Sequence, residues 1–165
     1  MTILIDRADF TDPRLAVFLQ SHLDDLAPTA PAESRHALDL TELQGPQVRM
    51  WVVDDGESIV GTAALAALEP AHEELKSMRT DPRHRGRGVA KGLLEHVVAD
   101  ARSRGVSRIS LETGTMDFFA PARALYARAG FVVCGPFGSY GEDPNSTFMT
   151  LSLTPSTPGS AAPRE

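Results

Sequence analysis

The most restrictive feature of this chain is a glycine-rich turn that joins a strand pattern to a helix pattern. Residues 79–97 read RTDPRHRGRGVAKGLLEHV, in which Gly86 and Gly88 come directly before an amphipathic helix. Residues 76–91 hold six of the sixteen Lys and Arg residues and one acid, although the chain has a net charge of −6. The first N–H groups of a helix have no partner within the helix and attract anions. The segment therefore predicts a site for a ligand with several phosphates; the alternative is a solvated basic surface at a helix start.

Hydrophobic periodicity on both sides of the turn predicts a mixed α/β sheet with helices on its faces. Asp54-Asp55-Gly56 is typical of a hairpin turn between two strands. The expected strands are residues 2–5, 48–53, 58–68, 74–80, 108–113, 131–134 and 147–153, and the expected helices begin at Pro13, after Gly88 and at Pro121.

Composition limits the class of protein. A length of 165 residues favours one domain, residues 1–153, followed by a Pro-, Ser- and Ala-rich tail at 154–165 that we expect to be disordered. The single cysteine, Cys134, excludes an internal disulfide, and no Cys or His spacing indicates a metal site, which fits a cytoplasmic protein. No apolar run approaches the ~20 residues of a membrane span, and the start lacks a signal-peptide pattern. The negative net charge argues against general nucleic-acid binding.

Two known phosphate-binding motifs can be compared with the glycine turn. A P-loop requires G-x-x-x-x-G-K-[ST], which the chain does not contain. Gly86, Gly88 and Gly92 form G-x-G-x-x-x-G, which is close to a dinucleotide fingerprint. Glu112, at the end of the next strand, could then contact a ribose hydroxyl. Against this interpretation, Arg83-His84-Arg85 replaces the apolar strand expected before the first glycine, and several strands precede the motif.

The segment Arg83-His84-Arg85-Gly86-Arg87-Gly88 also matches [Q/R]-x-x-G-x-[G/A], the acetyl-CoA signature of the GCN5-related N-acetyltransferases, the GNAT superfamily. The chain resembles this family elsewhere: ELKSMRTDP is similar to its fourth strand, RISLETG to its fifth, and ARALYARAGF to its LYxxxGF helix end. The resemblance covers residues 2–153 and is greatest with a bacterial subgroup of small, mostly uncharacterised acetyltransferases. It implies a mixed, mostly antiparallel sheet, splayed between strands 4 and 5, with helices on both faces.

The resemblance implies acetyl-CoA as cosubstrate and no metal. In the family, backbone N–H groups of the turn hold the pyrophosphate, and Arg83 would add positive charge beside it. The fourth strand pairs with the pantetheine arm through its backbone. Many members carry Asn seven residues before the tyrosine described below; Phe119 stands there, so we expect apolar packing against CoA. The corresponding residues are Met78, Arg79 and Thr80 for the pantetheine arm, and Arg85, Gly86, Arg87, Gly88, Val89 and Ala90 for the pyrophosphate.

Acetyl transfer to a primary amine of a small molecule or peptide is the activity that the resemblance implies. Tyr126 corresponds to the family's tyrosine acid for the leaving thiolate, whereas its helix pattern alone would make it a core residue. Glu74 matches the acid that opens the family's fourth strand and is the predicted base. The neighbouring Glu73 points to the other face of a strand, so only one of the two can face the cleft, and Glu73 stays open as an alternative. Glu112 is the alternative base or a ligand of the amine.

Other assignments stay open at this point. His36 lies in a loop that often lines the acceptor pocket in such folds, although a lone loop histidine is commonly structural or exposed. A homodimer is the default expectation for the class. The alternative functions are a CoA-binding regulatory protein without turnover and, less favoured, an NAD(P)-binding oxidoreductase. Thiol release with a panel of amines distinguishes them from an acetyltransferase.

Overall fold

The computed structural model describes residues 3–26 and 40–153. Seven strands form one sheet: β1 (Leu4–Arg7), β2 (Val48–Asp54), β3 (Ile59–Glu69), β4 (His72–Thr80), β5 (Arg108–Gly114), β6 (Val132–Cys134) and β7 (Ser146–Ser152). Their order in the sheet is β1-β2-β3-β4-β5-β7-β6. Within this sheet the pair β4–β5 is parallel and the remaining neighbours are antiparallel. The mostly antiparallel order excludes the doubly wound sheet of a dinucleotide-binding domain.

In the described part of the chain, four α-helices and two 3₁₀ helices join these strands: α1 (Pro13–Leu26), α2 (Leu40–Leu43), α3 (Val89–Ser103), α4 (Ala120–Arg128), and 3₁₀ segments at Pro82–His84 and Asp117–Phe119. Helix α1 begins at the predicted place, where Oδ1 of Asp12 accepts the N–H of Arg14 at 2.9 Å. Helix α3 ends just before Gly105, whose φ of +84° suits glycine. Helix α2 is not predicted, because four residues are too few to show a helical period.

The helices cover both faces of the sheet, as expected. On one face, α3 and α4 contribute to a core that includes Trp51, Leu75, Leu93, Leu111 and Tyr126. On the other face, α1 packs Leu15, Phe18 and Leu19 against strand residues such as Met50 and Ala64. Below, these are the α3 face and the α1 face of the sheet.

The sheet is splayed between β4 and β5, which confirms the expected fold. The two strands share four register pairs, from His72–Arg108 to Leu75–Leu111. Beyond that point β4 continues to pair with β3 as far as Thr80, and β5 continues to pair with β7 as far as Gly114. The second halves of β4 and β5 therefore diverge and leave a gap in the sheet.

A bulge lies in the diverging half of β4. The register between β3 and β4 shifts between Thr62 and Ala64, and Ser77 has a φ of +56°. The hydroxyl of Thr62 donates a hydrogen bond to the carbonyl oxygen of Ser77 at 2.7 Å, which holds this conformation. Because a bulge bends the strand that contains it, the irregularity falls where β4 separates from β5.

Some elements begin at other residues than the sequence predicts. Strand β1 begins two residues later than predicted, since it pairs with β2 from Leu4–Asp54 to Arg7–Trp51. Helix α4 begins at Ala120, one residue before the predicted Pro121. His36 and the predicted tail at 154–165 lie outside the described residues.

Candidate active site

The predicted phosphate-binding turn leads directly into α3. Gly86 and Gly88 both have a φ of +79°, a conformation that favours glycine, and a Cβ on either would project into open space. The first hydrogen bond of the helix runs from the N–H of Gly92 to the carbonyl of Gly88 at 2.9 Å. The N–H groups at the start of the helix, including those of Val89 and Ala90, therefore have no partner within it. They can bind an anion, and no acid lies in the first turn of the helix.

The arginines of the turn differ in their contacts. The guanidinium of Arg83 lies 3.0 Å from Asp81, whose other carboxylate oxygen accepts the N–H of Arg83 at 2.9 Å. Arg85 and Arg87 are exposed beside the two glycines. Asp81 therefore competes with the predicted phosphate for the guanidinium of Arg83. The hydrogen bond from the side chain of Arg83 lowers the pKa of Asp81.

Three buried polar atoms have no hydrogen-bond partner in the described part of the chain: Oγ of Ser77, Oγ1 of Thr80 and Nδ1 of His84. All three lie in the stretch 77–84, which connects the bulge of β4 to the glycine turn. Buried polar groups in native proteins almost always have a partner. Each of these atoms is covered by protein, and Nε2 of His84 lies 3.4 Å from Asp55 in the turn between β2 and β3, so these atoms do not line the gap.

The other side of the gap is bordered by the end of β5. A Cβ on Gly114, the last residue of β5, would overlap the ring of Phe119. The side chain of Arg123 donates hydrogen bonds to the carbonyl oxygens of Gly114 (2.6 Å) and Met116 (3.1 Å). These contacts fix the start of α4 and the ring of Phe119 against the strand end, which is compatible with the predicted apolar contact of Phe119 with CoA.

Tyr126 lies one helical turn after Arg123, in the core on the α3 face. Its side chain is 5% exposed and its ring centroid lies 5.7 Å from that of Phe131. Burial raises the pKa of Tyr126, so the phenol stays protonated at neutral pH. The packing is that of a core residue, and the role of Tyr126 as an acid remains a prediction.

Glu74 and Glu73 have separate environments. Glu74 is 6% exposed, and the hydroxyl of Tyr140 donates a hydrogen bond to its Oε2 at 2.5 Å. Both carboxylate oxygens of Glu73 accept hydrogen bonds from the guanidinium of Arg104, at 2.9 Å each, at the end of α3. Glu73 therefore lies on the α3 face with Leu75, and Glu74 lies on the α1 face.

Glu112 lies on the same face as Glu74. Its Oε2 accepts a hydrogen bond from the hydroxyl of Ser146, the first residue of β7, at 2.7 Å. The pKa of Tyr140 is raised, first by burial, then by its hydrogen bond to Glu74, and then by the negative charges of Glu74, Glu112 and Glu42. Of these carboxylates, Glu74 contacts the tyrosine hydroxyl, and Glu112 and Glu42 act on it through their charge.

A second cluster of polar side chains lies on the α1 face, around His72 at the start of β4. Nε2 of His72 lies 2.8 Å from Oγ of Ser110, and Nδ1 lies 3.0 Å from Oε2 of Glu69. The hydrogen-bond distances from Ser110 to His72 and from His72 to Glu69 resemble those of a nucleophilic triad. However, Ser110 is 2% exposed and its Oγ also contacts Oγ1 of Thr150 at 2.9 Å. A serine enclosed in this way cannot reach a substrate, so these residues join β4, β5 and β7 instead.

The structure brings together some predicted site residues and separates others. Glu74 and Glu112 share the α1 face, whereas Tyr126 lies in the core on the α3 face. Arg79 is 8% exposed in the diverging half of β4. Sequence reasoning missed Tyr140, because no motif or periodicity in the segment YGEDPNS assigns a partner to the tyrosine.

Two further observations concern the described residues as a whole. Within residues 3–26 and 40–153, no group of three or more His, Cys, Asp or Glu side chains is arranged to hold a metal ion. In the same part of the chain, no helix combines the length and the apolar character that crossing a membrane requires.

Comparison with known proteins identifies the family. A sequence model of the Acetyltransferase (GNAT) family matches residues 16–131. An uncharacterised N-acetyltransferase of Bacillus subtilis, YsnE, is 46% identical over 153 residues, which is 93% of this chain and all of that protein. A protein of Azospirillum brasilense named IAA acetyltransferase is 42% identical over 136 residues, 82% of this chain and 86% of that protein.

A solved structure supports the fold. The PaiA N-acetyltransferase of Thermoplasma acidophilum, in complex with coenzyme A, has a TM-score of 0.72 at 17% identity and aligns with 93% of this chain and all of its own. The splayed sheet, the glycine turn before α3 and the family match over residues 16–131 lead to one conclusion. The chain belongs to the GNAT acetyltransferase family.

Proposed function

We propose that this acetyltransferase moves an acetyl group from acetyl-CoA to a primary amine of a small molecule or peptide by direct transfer. The family establishes acetyl-CoA-dependent acyl transfer in general. The observation on which the amine proposal depends is the buried carboxylate of Glu74, on β4, next to the gap between β4 and β5. Acetyl-CoA supplies the acetyl group as a thioester.

The binding of acetyl-CoA is assigned to two segments. The N–H groups of residues 85–90 and the exposed side chains of Arg85 and Arg87 would hold the phosphates, since they form an anion site at a helix start. Backbone groups of residues 78–80 would hold the pantetheine arm in the gap. The ring of Phe119, which lies against Gly114 at the end of β5, would border that arm on one side.

A base is needed because the acceptor amine must lose a proton in the reaction. A lysine-like amine with a pKa of about 10.4 is neutral in about one molecule in 10³–10⁴ at pH 7, and only the neutral form can attack the thioester. Glu74 would accept the proton, directly or through water, as the new N–C bond forms. Glu112 on the same face would attract the cationic form of the amine and assist its entry.

Tyr126 is the proposed group for the leaving sulfur. As the C–S bond breaks, the neutral phenol would donate a hydrogen bond to the developing thiolate. An ordinary thiol has a pKa of about 8.5, below that of an ordinary phenol, and burial raises the pKa of Tyr126 further. A hydrogen bond therefore stabilises the thiolate more readily than complete proton transfer, and solvent can complete the protonation.

The test is a thiol-release assay with acetyl-CoA and a panel of acceptors: tyramine, putrescine, Nα-acetyl-lysine and IAA. The proposal expects acetylation of at least one amine, with the product identified by mass spectrometry. Acetylation of IAA and of no amine would overturn the amine assignment. Binding of acetyl-CoA without turnover of any acceptor would favour the regulatory alternative, and preferential binding of NAD(P) would favour the oxidoreductase.

A further inference from the structure

The connection between β6 and β7 supplies a residue that no comparison assigns to the reaction. We infer that Tyr140 is a positioning residue, which orients the carboxylate of Glu74 for the acceptor amine through its hydroxyl. This inference rests on the proposed function, because it gives Tyr140 a role only if Glu74 acts as the base.

The contact itself is short and enclosed. The hydroxyl of Tyr140 donates to Oε2 of Glu74 at 2.5 Å, and Glu74 is 6% exposed. A carboxylate offers two oxygens and several acceptor positions. With Oε2 held by Tyr140, the other oxygen is oriented in one direction for a substrate N–H, and the side chain of Glu74 loses the freedom to rotate away.

The ring of Tyr140 is itself fixed by packing. Its centroid lies 5.1 Å from that of Phe137 and 5.5 Å from that of Phe148, which is 4% exposed on β7. The N–H of Tyr140 donates to the carbonyl of Phe137 at 3.0 Å, which closes the turn that presents the ring. A hydroxyl on such a ring has a defined position, and positioning requires a fixed donor of this kind.

Burial and the hydrogen-bonding environment of Tyr140 fix the direction of the hydrogen bond. Burial raises the pKa of Tyr140 most, followed by its hydrogen bond to Glu74 and then by the negative charges of Glu74, Glu112 and Glu42. The phenol therefore stays protonated and donates, while the carboxylate accepts. Tyr140 cannot serve as the base under these conditions, so its effect on the reaction must pass through Glu74.

A different role would be that of a stand-in, in which the hydroxyl occupies the place of the amine and is displaced by it. Displacement would separate the ring of Tyr140 from Phe137 and Phe148. The neighbouring hydrogen bond from Ser146 to Glu112 shows that the same segment also supports the second carboxylate. Both contacts favour a supporting role over a displaceable one.

The experiment measures kcat and KM for the best amine of the panel in four proteins: the parent, Tyr140→Phe, Glu74→Gln and the double variant. Tyr140→Phe keeps the ring, so we expect an unchanged KM for acetyl-CoA and a kcat reduced about tenfold. In the Glu74→Gln background the same change should have no further effect, since residues that act as a unit are non-additive. Calorimetry with acetyl-CoA on each variant checks that it is folded, since the ring of Tyr140→Phe still packs on Phe137 and Phe148.

Two results would overturn the inference. The first is a parent-like kcat in Tyr140→Phe; if the KM for the amine is also lower, the hydroxyl is a displaceable stand-in. The second is an equal loss in the presence and absence of the Glu74 carboxylate, which would show that Tyr140 acts independently. A parent protein that acetylates no amine overturns the proposed function instead, and this inference with it.

Discussion

Glu73 and Glu74 are consecutive residues of β4 whose carboxylates are bound on opposite faces of the sheet. Arg104 at the end of α3 holds Glu73, and Tyr140 in the connection before β7 holds Glu74. The two residues therefore provide the same chemical group in two environments: Glu74 on the α1 face, where we propose that the amine binds, and Glu73 next to the end of α3. This difference turns neighbouring positions into a matched pair for mutagenesis.

The first prediction uses this pair. Glu74→Gln should reduce the turnover of the best amine acceptor by about 10²-fold, the lower part of the range for losing general base catalysis. Glu73→Gln should leave turnover unchanged and cost at most about 1 kcal/mol of stability, since the ion pair with Arg104 is partly exposed. Steady-state kinetics and thermal melting of both variants check the prediction. Equal losses of turnover in the two variants would contradict the assignment of Glu74 as the base.

The second prediction concerns the glycine turn. Gly88→Asp should abolish acetyl-CoA binding, because its carboxylate would stand at the helix start where we assign the pyrophosphate. Gly105→Asp is the matched control: Gly105 has a φ of +84° against +79° for Gly88, and a Cβ at either position meets open space. Both variants should lose similar stability, and only the first should lose binding by titration calorimetry. Retained binding in Gly88→Asp would remove the turn from the site.

The elements that the sequence predicted well depend on local signals. The hairpin around Gly56, the helix between Gly88 and Gly105 and the glycine turn follow from residues a few positions apart. The hydrogen bond from Tyr140 to Glu74 joins residues 66 positions apart, and no periodicity or motif reports such a distance. Its existence depends on the order β5-β7-β6, which places the connection before β7 against the α1 face.

The faces of β4 illustrate the same limit. Alternation along a strand predicts that Glu73 and Glu74 point in opposite directions. Which of them meets α3 depends on packing of Leu75 into the core beneath that helix, which only the folded structure provides. Arg83 shows the opposite case. Its partner Asp81 is only two residues away in the sequence, but the sum of charges in this segment did not indicate that the two side chains form an ion pair.

The third prediction tests the packing at the end of β5. Gly114→Ala should destabilise the protein by about 1–3 kcal/mol, because the added methyl group overlaps the ring of Phe119 and forces it to move. In a Phe119→Ala background the same change should cost less than about 0.5 kcal/mol, since the obstructing ring is absent. Urea unfolding of the parent, the two single variants and the double variant measures this coupling. Additive effects would show that the two residues do not contact each other.

The fourth prediction follows from the raised pKa of Tyr126. In the unfolded chain this phenol ionises near pH 10, whereas in the folded protein burial keeps it protonated to higher pH. The contribution of Tyr126 to stability is thus complete below about pH 10 and is lost as the pH rises toward its folded-state pKa. The free energy of unfolding should decrease by up to about 1.4 kcal/mol per pH unit more steeply in the parent than in Tyr126→Phe. Urea unfolding between pH 9 and 11 tests this, and identical slopes would contradict it.

The last prediction concerns the part of Tyr126 in the reaction. If its hydroxyl acts as proposed, as the C–S bond breaks, Tyr126→Phe should keep the fold and the affinity for acetyl-CoA, because the ring still packs on Phe131. Turnover should fall by about 10²-fold, with kcat and kcat/KM reduced together, as for an interaction made in the transition state. Calorimetry with acetyl-CoA and single-turnover kinetics with the best amine separate binding from chemistry. A variant that binds acetyl-CoA and transfers acetyl at the parent rate would make Tyr126 a core residue only. The stabilisation of the thiolate would then have to come from another group at the gap between β4 and β5.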